Sequence, residues 1–457
     1  MSTNPPHNRP GPSVQDVFAQ DSRPTPNVLA FESPPQDLGS ADISIERYFS
    51  QDWHDREMDQ VWRKVWQMAC REEELQKVGD HVVYNIGDES VIVTRSAPDE
   101  IRAYINSCLH RGTLLRAQSG HVSRFRCPYH GFTWALDGSL SHIPSEWDFE
   151  HVDQDKFCLP EIKVACWGGF VFVNFDPNSA PLSEYLEILP AHFEQFKLED
   201  RWKAGHISKI MPCNWKLTLE AFIESFHIPA AHPQTQSYVA WDTTQYDVFP
   251  DSRHVNRMLT LEAYPSTGLD NVSTEQTISE MKRDVPFHGN TTITADDPQA
   301  IREQFADGAR QKLSRSSNSD LSDLSNAEVL DVIQYFLFPN LMPWGGHGVP
   351  ICYRFRPYEN NPEKSIMEIM LLFAKDKDGN HPKPPPMVEL GVDDKWQDAE
   401  AYLGSAAFVA DQDTENLKRI QRGLRASHKK GVTLAAYQES RIRHFNKTLD
   451  EYLGESI

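Results

Sequence analysis

The segment CLHRGTLLRAQSGHVSRFRCPYHG, residues 108–131, contains two short motifs that each pair one cysteine with one histidine. Cys108 and His110 form the first pair, and Cys127 and His130 form the second. Two thiolates and two imidazoles can bind a tetrahedral zinc ion, or a [2Fe–2S] cluster in which one iron takes both histidines. Zinc fingers usually pair cysteine with cysteine and histidine with histidine, so the mixed pairs favour the iron–sulfur cluster.

The residues around these motifs have the composition of short β-strands. Runs rich in β-branched and aromatic residues, separated by turn signals, occupy residues 81–86, 90–95, 101–106, 125–128, 131–136 and 168–174. They predict a small all-β domain between about residues 75 and 180. Before this domain, apolar residues at helical spacing predict an amphipathic helix between Ile45 and Cys70.

A second group of candidate metal ligands lies in the segment NWKLTLEAFIESFHIPAAHP, residues 214–233. The spacing predicts one helix that carries Glu220, Glu224 and His227 on a single face. A proline after this helix is expected to turn the chain so that His232 reaches the same point. Two histidines near a carboxylate can form the facial triad that binds ferrous iron and leaves other positions open. Histidines at a helix end also cap carbonyl groups without any metal.

A third iron ligand would be a carboxylate from elsewhere in the chain. Asp411, Asp413 and Glu415 are candidates in the segment FVADQDTEN, residues 408–416. Their chemistry does not separate them, and an aspartate here can also cap the start of a helix. A long helical stretch, interrupted near a glycine, is predicted from about residue 413 to 453.

Length, charge and cysteine content restrict the classes of function. A chain of 457 residues predicts two domains. Its net charge of −21 argues against nucleic acid as a partner, because nucleic-acid binding needs basic surface. No apolar run is long enough for a membrane span, and the first residues have no secretory character. The seven scattered cysteines are not a disulfide framework, so we expect a reducing, cytoplasmic location.

The chain resembles the aromatic-ring-hydroxylating (Rieske) oxygenases, large (alpha) subunit, from about residue 45 to 453. The resemblance rests on the two cluster motifs and on the stretches VWRKVWQMAC, VGDHVVYNIGDESVIVTR, WGGFVFVNFDP, NWKLTLEAFIESFHIPAAHP, FPNLMPW and DQDTENLKRIQRGL. It implies that a Rieske [2Fe–2S] cluster is held by Cys108, His110, Cys127 and His130. It also implies that His227 and His232 bind a mononuclear Fe(II).

The resemblance further implies roles for two acidic residues. In the family, the third iron ligand is an Asp eight residues before the Gln of a QxGL-type helix, and counting back from Gln421 gives Asp413. An acidic residue three positions before the first iron-binding histidine, here Glu224, is implied to link that ligand to the cluster ligand His130 of the partner subunit in a head-to-tail trimer. Glu224 in place of the commoner Asp, and Ala221 where many relatives have Asn, are departures from the family pattern.

The expected fold class is α+β, with a small all-β Rieske domain and a larger catalytic domain whose antiparallel sheet is flanked by helices (helix-grip type). Residues 1–42 are expected to form a flexible N-terminal tail, residues 43–182 the Rieske domain with its preceding helix, and residues 183–457 the catalytic domain. The polar segment 267–326, with a helix near residues 298–313, is a candidate lid. The apolar residues 335–338, with Met342 and Trp344, are expected to pack in a core rather than line a pocket.

The family resemblance implies an oxygenase that uses O2 and relayed electrons to hydroxylate (mono- or dioxygenate) or oxidatively dealkylate an aromatic or other small apolar substrate. No Gly-rich dinucleotide fingerprint is present, so electrons are expected from a ferredoxin or a flavin-dependent reductase. The implied assembly is a homotrimer or an α3β3 complex. Around the cluster motifs, the residues Arg111, Arg116, Arg124 and Arg126 either dock an acidic ferredoxin, or neutralise the cluster or form ordinary surface ion pairs. The alternative functions are an iron–sulfur electron-transfer protein without oxygenase activity, and a zinc-binding interaction protein.

Overall fold

A computed structural model describes residues 11–267, 269, 272–285 and 291–455, and these residues form two compact units. The larger unit contains the described residues up to His54 and from Leu186 onwards, and the smaller unit contains Asp55–Tyr185. Both units combine antiparallel sheets with helices, which confirms the predicted α+β class. Within the described residues, no helix has the length and apolar character required to traverse a bilayer.

The smaller unit is built on a seven-stranded antiparallel sheet and a three-stranded sheet. The strands of the large sheet, in spatial order, are Gln67–Arg71, Phe170–Asn174, Glu161–Trp167, Glu100–Ile105, Glu89–Ala97, Asp80–Ile86 and Gly120–His121. The strands of the small sheet are Phe125–Arg126, Thr133–Trp134 and Leu140–His142. Helical turns occupy Met58–Trp62, Glu72–Glu74, Glu146–Asp148, Gln154–Lys156 and Leu182–Tyr185. Large aromatic side chains, including Phe125 and Trp134, fill the core.

The single helix predicted between Ile45 and Cys70 is wrong. The structure has a 3₁₀ turn, a helix at Gln51–Glu57, a π-helical turn, and then a strand at Gln67–Arg71. This strand is fully buried and pairs with Phe170–Asn174, about a hundred residues later. A short, completely buried strand has no alternation of apolar and polar residues, so periodicity cannot distinguish it from a buried helix.

The larger unit contains an eight-stranded sheet with helices packed on it. The strands, in spatial order, are Gln245–Val248, Val255–Thr260, Val332–Leu337, Leu341–Pro343, Ile351–Tyr358, Asn361–Ala374, Arg201–Met211 and Val388–Leu390. All neighbours are antiparallel except the last pair, which is parallel. A separate two-residue ladder joins Ile43–Ser44 to Gly431–Val432.

Helices of the larger unit are mostly short. The α-helices are Val14–Phe18, Leu189–Phe193, Trp215–Glu220, Ile228–Ala231, Thr274–Asp284, Pro298–Ser317, Asn326–Leu330, Glu400–Leu403, Ala406–Ala426 and Ser440–Leu453. The 3₁₀ turns are Ile45–Tyr48, Leu198–Asp200, Pro233–Thr235, Trp241–Thr243 and Trp396–Ala399. The helix expected near residues 298–313 is present, and Asp297 caps its start. The long C-terminal helical stretch is divided into two helices on either side of Gly431, as its predicted interruption indicated.

The described part of the N-terminal segment packs on the larger unit, which differs from the flexible tail expected for residues 1–42. Residues 1–10 lie outside the described residues. A short helix buries Val14, Val17 and Phe18, and Gln15 donates a hydrogen bond from Nε2 to the Gln245 side chain at 2.9 Å. The composition of this segment is polar and therefore predicted a flexible tail. Composition does not show that a few apolar residues are buried, or that polar side chains bond to residues far along the chain. The unit boundaries at residues 54 and 186 also differ from those expected at 43 and 183.

Arg302 joins the N-terminal segment to the larger unit through two buried carboxylates. Its guanidinium contacts both oxygens of Asp331 at 2.7 Å, and its Nε lies 3.0 Å from Asp21 Oδ1. All three side chains are almost completely buried. Buried ion pairs contribute little net stability when complete, but removing one member leaves an uncompensated charge in a low-dielectric interior.

We expect Arg302→Met to lower the free energy of unfolding by about 3–5 kcal/mol, because two buried carboxylates lose their cation. Urea unfolding of the variant and the parent protein measures the difference. Arg419→Met is the matched control, since Arg419 is 70 % exposed in its ion pair and its loss should cost less than about 1 kcal/mol. Equal midpoints and slopes for Arg302→Met and the control would contradict a stabilising role for this cluster.

Candidate metal centres

The three predicted iron ligands lie close together in the larger unit. His227, His232 and Asp413 each offer one ligand atom, and these atoms lie within 4.8 Å of one another. Asp413 Oδ1 is 2.8 Å from Nε2 of His232 and 3.6 Å from Nε2 of His227. The structure therefore brings together the three residues, although their role as metal ligands stays a prediction.

The two histidines flank one short helix. His227 immediately precedes Ile228–Ala231, and His232 immediately follows it, so a single helical turn brings the two imidazole rings to a centroid distance of 5.1 Å. A proline in the first turn suits the start of such a helix, because its missing N–H would have no partner there. The predicted turn of the chain toward the first histidine thus has a physical cause in the local sequence.

The helix expected to extend as far as His227 ends earlier, at Glu220. Beyond its end the N–H groups of Phe222 and Ile223 bond to carbonyls three residues earlier, and the Ser225 backbone N–H donates a hydrogen bond to the Tyr246 hydroxyl at 3.0 Å instead of to the helix. Glu220, Glu224 and His227 therefore do not share a helical face, which corrects the sequence prediction. Glu224 reaches His227 through a local turn instead.

Only Asp413 among the three candidate carboxylates faces the histidines. It lies on the buried face of the helix Ala406–Ala426. Asp411, two residues away and rotated by about 200° on a helix, accepts hydrogen bonds from the backbone N–H groups of Trp396 and Gln397 at 2.8 and 3.2 Å. Glu415 is 56 % exposed and pairs with an arginine of its own helix.

Hydrogen bonds orient both imidazole rings. Glu224 accepts a hydrogen bond from His227 Nδ1 at 2.6 Å and another from the His227 backbone N–H at 3.0 Å. Gln412 Oε1 lies 2.9 Å from His232 Nδ1 and also accepts a hydrogen bond from Gln234. Because both acceptors hold a proton on Nδ1, both Nε2 lone pairs are directed to the centre, as metal-binding histidines require. No local sequence pattern had indicated this role for Gln412.

The chemistry of the site fits a metal cation. His232 Nε2 is buried and has no hydrogen-bond partner of suitable geometry within the described part of the chain. Burial opposes a charge on His227, but the hydrogen bond with Glu224 and the charges of Glu224 and Asp413 outweigh it and raise its pKa to about 8. The centre thus favours positive charge and presents two nitrogens and one carboxylate, the donor set of a ferrous facial triad.

A further carboxyl group, Glu220, is buried at the end of the helix that precedes these ligands. It accepts hydrogen bonds from the Tyr48 hydroxyl and the Asn446 side-chain amide, both at 3.0 Å. Burial raises its pKa to about 7, although these two hydrogen bonds act in the opposite direction. The folded protein therefore holds a proton on this group at pH values where the unfolded chain has released it.

We expect this proton to make stability depend on pH. The unfolded chain loses the proton near the usual glutamate pKa, so the folded state loses up to about 3 kcal/mol of stability as pH rises from about 4.5 through about 7. Glu220→Gln cannot ionise and should lack this decline. Urea unfolding of both proteins between pH 5 and pH 8, in the same metal state, measures it. Parallel stability curves for the two proteins would contradict the expectation.

In the smaller unit, the four cluster-motif residues lie on two similar loops that face each other. Cys108 and Cys127 are buried, and the backbone carbonyl of each accepts a hydrogen bond from the N–H of the glycine four residues later, at 2.9 and 3.1 Å. Both glycines have positive φ angles, 75° and 83°, which allow the tight turn. The rings of His110 and His130 have a centroid distance of 4.7 Å.

The environment of these loops fits an iron–sulfur cluster. His110 Nδ1 is buried without a hydrogen-bond partner among the residues that the structure covers. Burial opposes ionisation of Cys127, but the backbone N–H groups of Tyr129 and His130 face its sulfur and the net effect lowers its pKa. Thiolates that accept backbone hydrogen bonds are typical of cluster ligands, because these bonds stabilise their negative charge. That Cys108, His110, Cys127 and His130 ligate the cluster stays a prediction.

Comparison with known proteins identifies both units. A family described as "Ring hydroxylating alpha subunit (catalytic domain)" matches residues 191–455, and one described as "Rieske [2Fe-2S] domain" matches residues 65–154. The cofactors of this pair of domains are a Rieske [2Fe–2S] cluster and a mononuclear non-haem iron.

Several curated proteins are similar over part of the chain. The carnitine monooxygenase oxygenase subunit of Escherichia coli (strain K12) is 29 % identical over 250 residues, 54 % of this chain and 64 % of that protein. Choline monooxygenase, chloroplastic, of Beta vulgaris is 28 % identical over 46 % of this chain and 48 % of that protein. Benzene 1,2-dioxygenase subunit alpha of Pseudomonas putida is 29 % identical over 42 % of this chain and 43 % of that protein. The matched region thus spans between about two fifths and two thirds of these relatives.

Solved structures share the fold. A quaternary ammonium Rieske monooxygenase in complex with L-carnitine is 18 % identical with a TM-score of 0.62, covering 92 % of this chain and 99 % of that one. Naphthalene 1,2-dioxygenase from Rhodococcus sp. bound to indole is 21 % identical with a TM-score of 0.57, covering 91 % and 95 %. Since the catalytic-domain match alone covers more than half of the chain, the protein belongs to the ring-hydroxylating alpha subunits, the Rieske oxygenase family.

Proposed function

We propose that this chain is the oxygenase component of a system that uses O2 and relayed electrons to hydroxylate, by mono- or dioxygenation, or oxidatively dealkylate an aromatic or other small apolar organic substrate. The observation that supports this most is the convergence of His227, His232 and Asp413 on one point. Three protein ligands leave further positions open, which an iron that binds O2 needs. An electron-transfer protein would need only the cluster motifs, so this alternative is less favoured.

The proposed chemistry divides between the two centres. When bound, the cluster supplies single electrons and the ferrous iron activates O2. Cys108, His110, Cys127 and His130 would hold the cluster, while His227, His232 and Asp413 would hold the iron. Two further residues support the iron ligands without touching the metal. Glu224 and Gln412 keep the Nδ1 proton on each of the proposed iron-binding histidines, and so fix the tautomer and ring orientation.

We propose that Glu224 also connects subunits. Its two carboxylate oxygens each accept one hydrogen bond from His227, which leaves a second lone pair on each oxygen. In a head-to-tail trimer, the family arrangement implied by the sequence, one of these could accept a hydrogen bond from the cluster ligand His130 of the partner subunit. The assembly proposed is therefore a homotrimer, or an α3β3 complex with a smaller subunit.

The proposed electron donor is an acidic ferredoxin, or a flavin-dependent reductase that presents acidic groups. Arg111, Arg124 and Arg126 are exposed near the cluster loops, and within the described residues none of them has a carboxylate partner. Arg116 differs, because its Nε lies 3.1 Å from His81 Nε2 and it turns inwards. Arg124 donates a hydrogen bond to the Ser141 hydroxyl and Arg111 lies over the Tyr129 ring, so neither charge is neutralised by these contacts. Three cations without a carboxylate partner in the described part of a chain of net charge −21 favour an acidic partner at this surface.

The substrate is proposed only as a class. The relatives named above act on carnitine, choline and benzene according to their names, which include both quaternary ammonium compounds and an aromatic ring. A panel for this chain should therefore contain these three compounds together with N-alkyl and O-alkyl aromatic compounds.

Metal analysis and isotope labelling test the proposal. The purified protein should contain about three irons and about two acid-labile sulfides per chain, one cluster plus one mononuclear iron. With a surrogate ferredoxin and reductase, ¹⁸O from labelled O2 should enter a product, or the aldehyde released by dealkylation. About two irons without O2 consumption would support the electron-transfer alternative, and a colourless zinc protein the interaction alternative.

A further inference from the structure

Four aromatic side chains form a cluster beside the candidate iron ligand Asp413. The Tyr353 ring lies at centroid distances of 5.1 Å from Phe222, 5.7 Å from Trp344 and 6.0 Å from Phe355. Burial, and then the nearby charge of Asp413, raise the pKa of the Tyr353 phenol, so its hydroxyl stays protonated and able to donate. An aromatic surface with a hydrogen-bond donor thus lies within electrostatic range of Asp413.

The strand register explains why these side chains meet. Met342 pairs directly with Tyr353 across the antiparallel ladder, so their side chains lie on the same face of the sheet. Trp344 and Phe355 each lie two residues from one member of this pair, and side chains two residues apart share a face. Phe222 belongs to the segment just after the helix Trp215–Glu220 and packs on this face from above.

Two polar groups in this cluster have no partner. The Trp344 indole N–H is buried, in a residue that is 8 % exposed, and within the described residues no acceptor lies in hydrogen-bond geometry. The Tyr353 hydroxyl also makes no hydrogen bond to any residue that the structure describes, but unlike the indole nitrogen it is not completely shielded from solvent. A buried donor without an acceptor is unfavourable, and native proteins rarely keep one without a reason.

Three other buried tryptophans satisfy the same indole N–H group. The indole N–H groups of Trp66 and Trp134 donate to backbone carbonyls at 2.9 Å, and that of Trp396 donates to the Thr414 hydroxyl at 3.0 Å. Trp344 thus differs from these three tryptophans, and its ring lies 5.7 Å from the Tyr353 ring.

We propose that Trp344 Nε1–H and the Tyr353 hydroxyl donate hydrogen bonds to an oxygen of the substrate, while the surrounding rings contact its apolar part. The substrate class would then be a small aromatic or otherwise apolar molecule that carries a carbonyl or carboxylate oxygen. This inference rests on the proposed oxygenase function, because it takes the face beside Asp413 as the substrate site. A site built to donate hydrogen bonds rejects an analogue of the same shape that lacks the acceptor.

The test compares acetophenone with 2-phenylpropene, which have the same shape but carry C=O and C=CH2 at the same position. Dissociation constants are measured anaerobically by equilibrium dialysis with the holoenzyme. The parent protein should bind the ketone at least about 10-fold more tightly, given two neutral hydrogen bonds. Tyr353→Phe should weaken ketone binding by about 3- to 10-fold and leave alkene binding within about twofold, and Trp344→Phe should do the same.

Controls separate this inference from the proposed function. Tyr402→Phe, on an exposed side chain away from the cluster, should leave both dissociation constants unchanged. A parent protein that binds the ketone no more tightly than the alkene, whether both bind or neither does, overturns the inference. So does a Tyr353→Phe variant that preserves the preference for the ketone. Failure of the proposed function would instead appear as absent O2 consumption by the parent protein on every substrate, whatever the binding data.

Discussion

Asp413→Ala is expected to lower the iron content from about three to about two atoms per chain and to reduce product formation by at least about 100-fold. The physical reason is that Asp413 supplies negative charge at the site and lies 2.8 Å from Nε2 of His232. Without it, only the two imidazoles would remain to bind the iron. The visible absorption of the cluster should be unchanged, because its proposed ligands lie in the smaller unit. Metal analysis, absorption spectra and O2-dependent turnover measure the three quantities.

A carboxylate on the same helix gives the matched control. Glu415→Ala removes an exposed side chain two residues away and should leave about three irons and normal turnover. Asp413→Ala protein that retained full iron and full turnover would contradict the assignment of Asp413 as a ligand. Loss of the cluster together with the iron would instead indicate a general folding defect.

Glu224→Gln is expected to keep both metal centres but to reduce turnover by at least about 100-fold. Glu224 accepts a hydrogen bond from His227 Nδ1 at 2.6 Å, and a neutral amide would weaken this charge-assisted bond. It would also remove the charge that is proposed to link the iron ligand to His130 of the partner subunit. Rapid mixing of reduced protein with O2 and substrate should therefore show slow reoxidation of the cluster.

A variant that keeps a carboxylate at this position is the control for this prediction. Glu224→Asp restores the charge with a shorter reach and should retain more turnover than Glu224→Gln. Iron and sulfide content must match the parent protein in both variants, since otherwise the effect would reflect metal loss. Normal turnover in a fully loaded Glu224→Gln protein would remove the proposed role of this carboxylate.

Helices and strands with a periodic pattern or clear turn signals were largely predicted from the sequence. The prediction failed where contacts with residues far along the chain determine the local structure. Six of the ten strands of the smaller unit and the helix starting at Pro298 were predicted to within a few residues. Four strands of that unit were missed: Gln67–Arg71, Gly120–His121, Leu140–His142 and Glu161–Trp167. The helix after Asn214 was predicted too long, because the Tyr246 hydroxyl takes the Ser225 backbone N–H and this partner lies 21 residues away. The packing of residues 11–42 was missed for the same reason, since Gln15 meets a residue 230 positions later.

The residues of the candidate site were also predicted only in part from the sequence. The spacing made both histidines candidate ligands and the family resemblance assigned them to the iron, whereas Asp413 was selected over Asp411 only by that resemblance. The structure adds a physical signal that the sequence also contained. Asp413 lies in a helical stripe with Ala410, Leu417 and Gln421, at intervals of three and four residues, and this stripe forms the buried face. Asp411 lies outside the stripe. The positions of Gln412 and of the two unpaired donors depend on tertiary packing, and no local pattern indicates them.

The discontinuity of the larger unit has a consequence for biosynthesis. Its first piece ends at His54 and its second begins at Leu186, so contacts such as Asp21 with Arg302 join residues 281 positions apart. Contacts of such long sequence separation form slowly and only after the later residues have left the ribosome. The smaller unit is continuous and can fold while translation proceeds. Its cysteine and histidine loops are thus ready for cluster insertion before the iron pocket exists, which orders the maturation of the two centres in time.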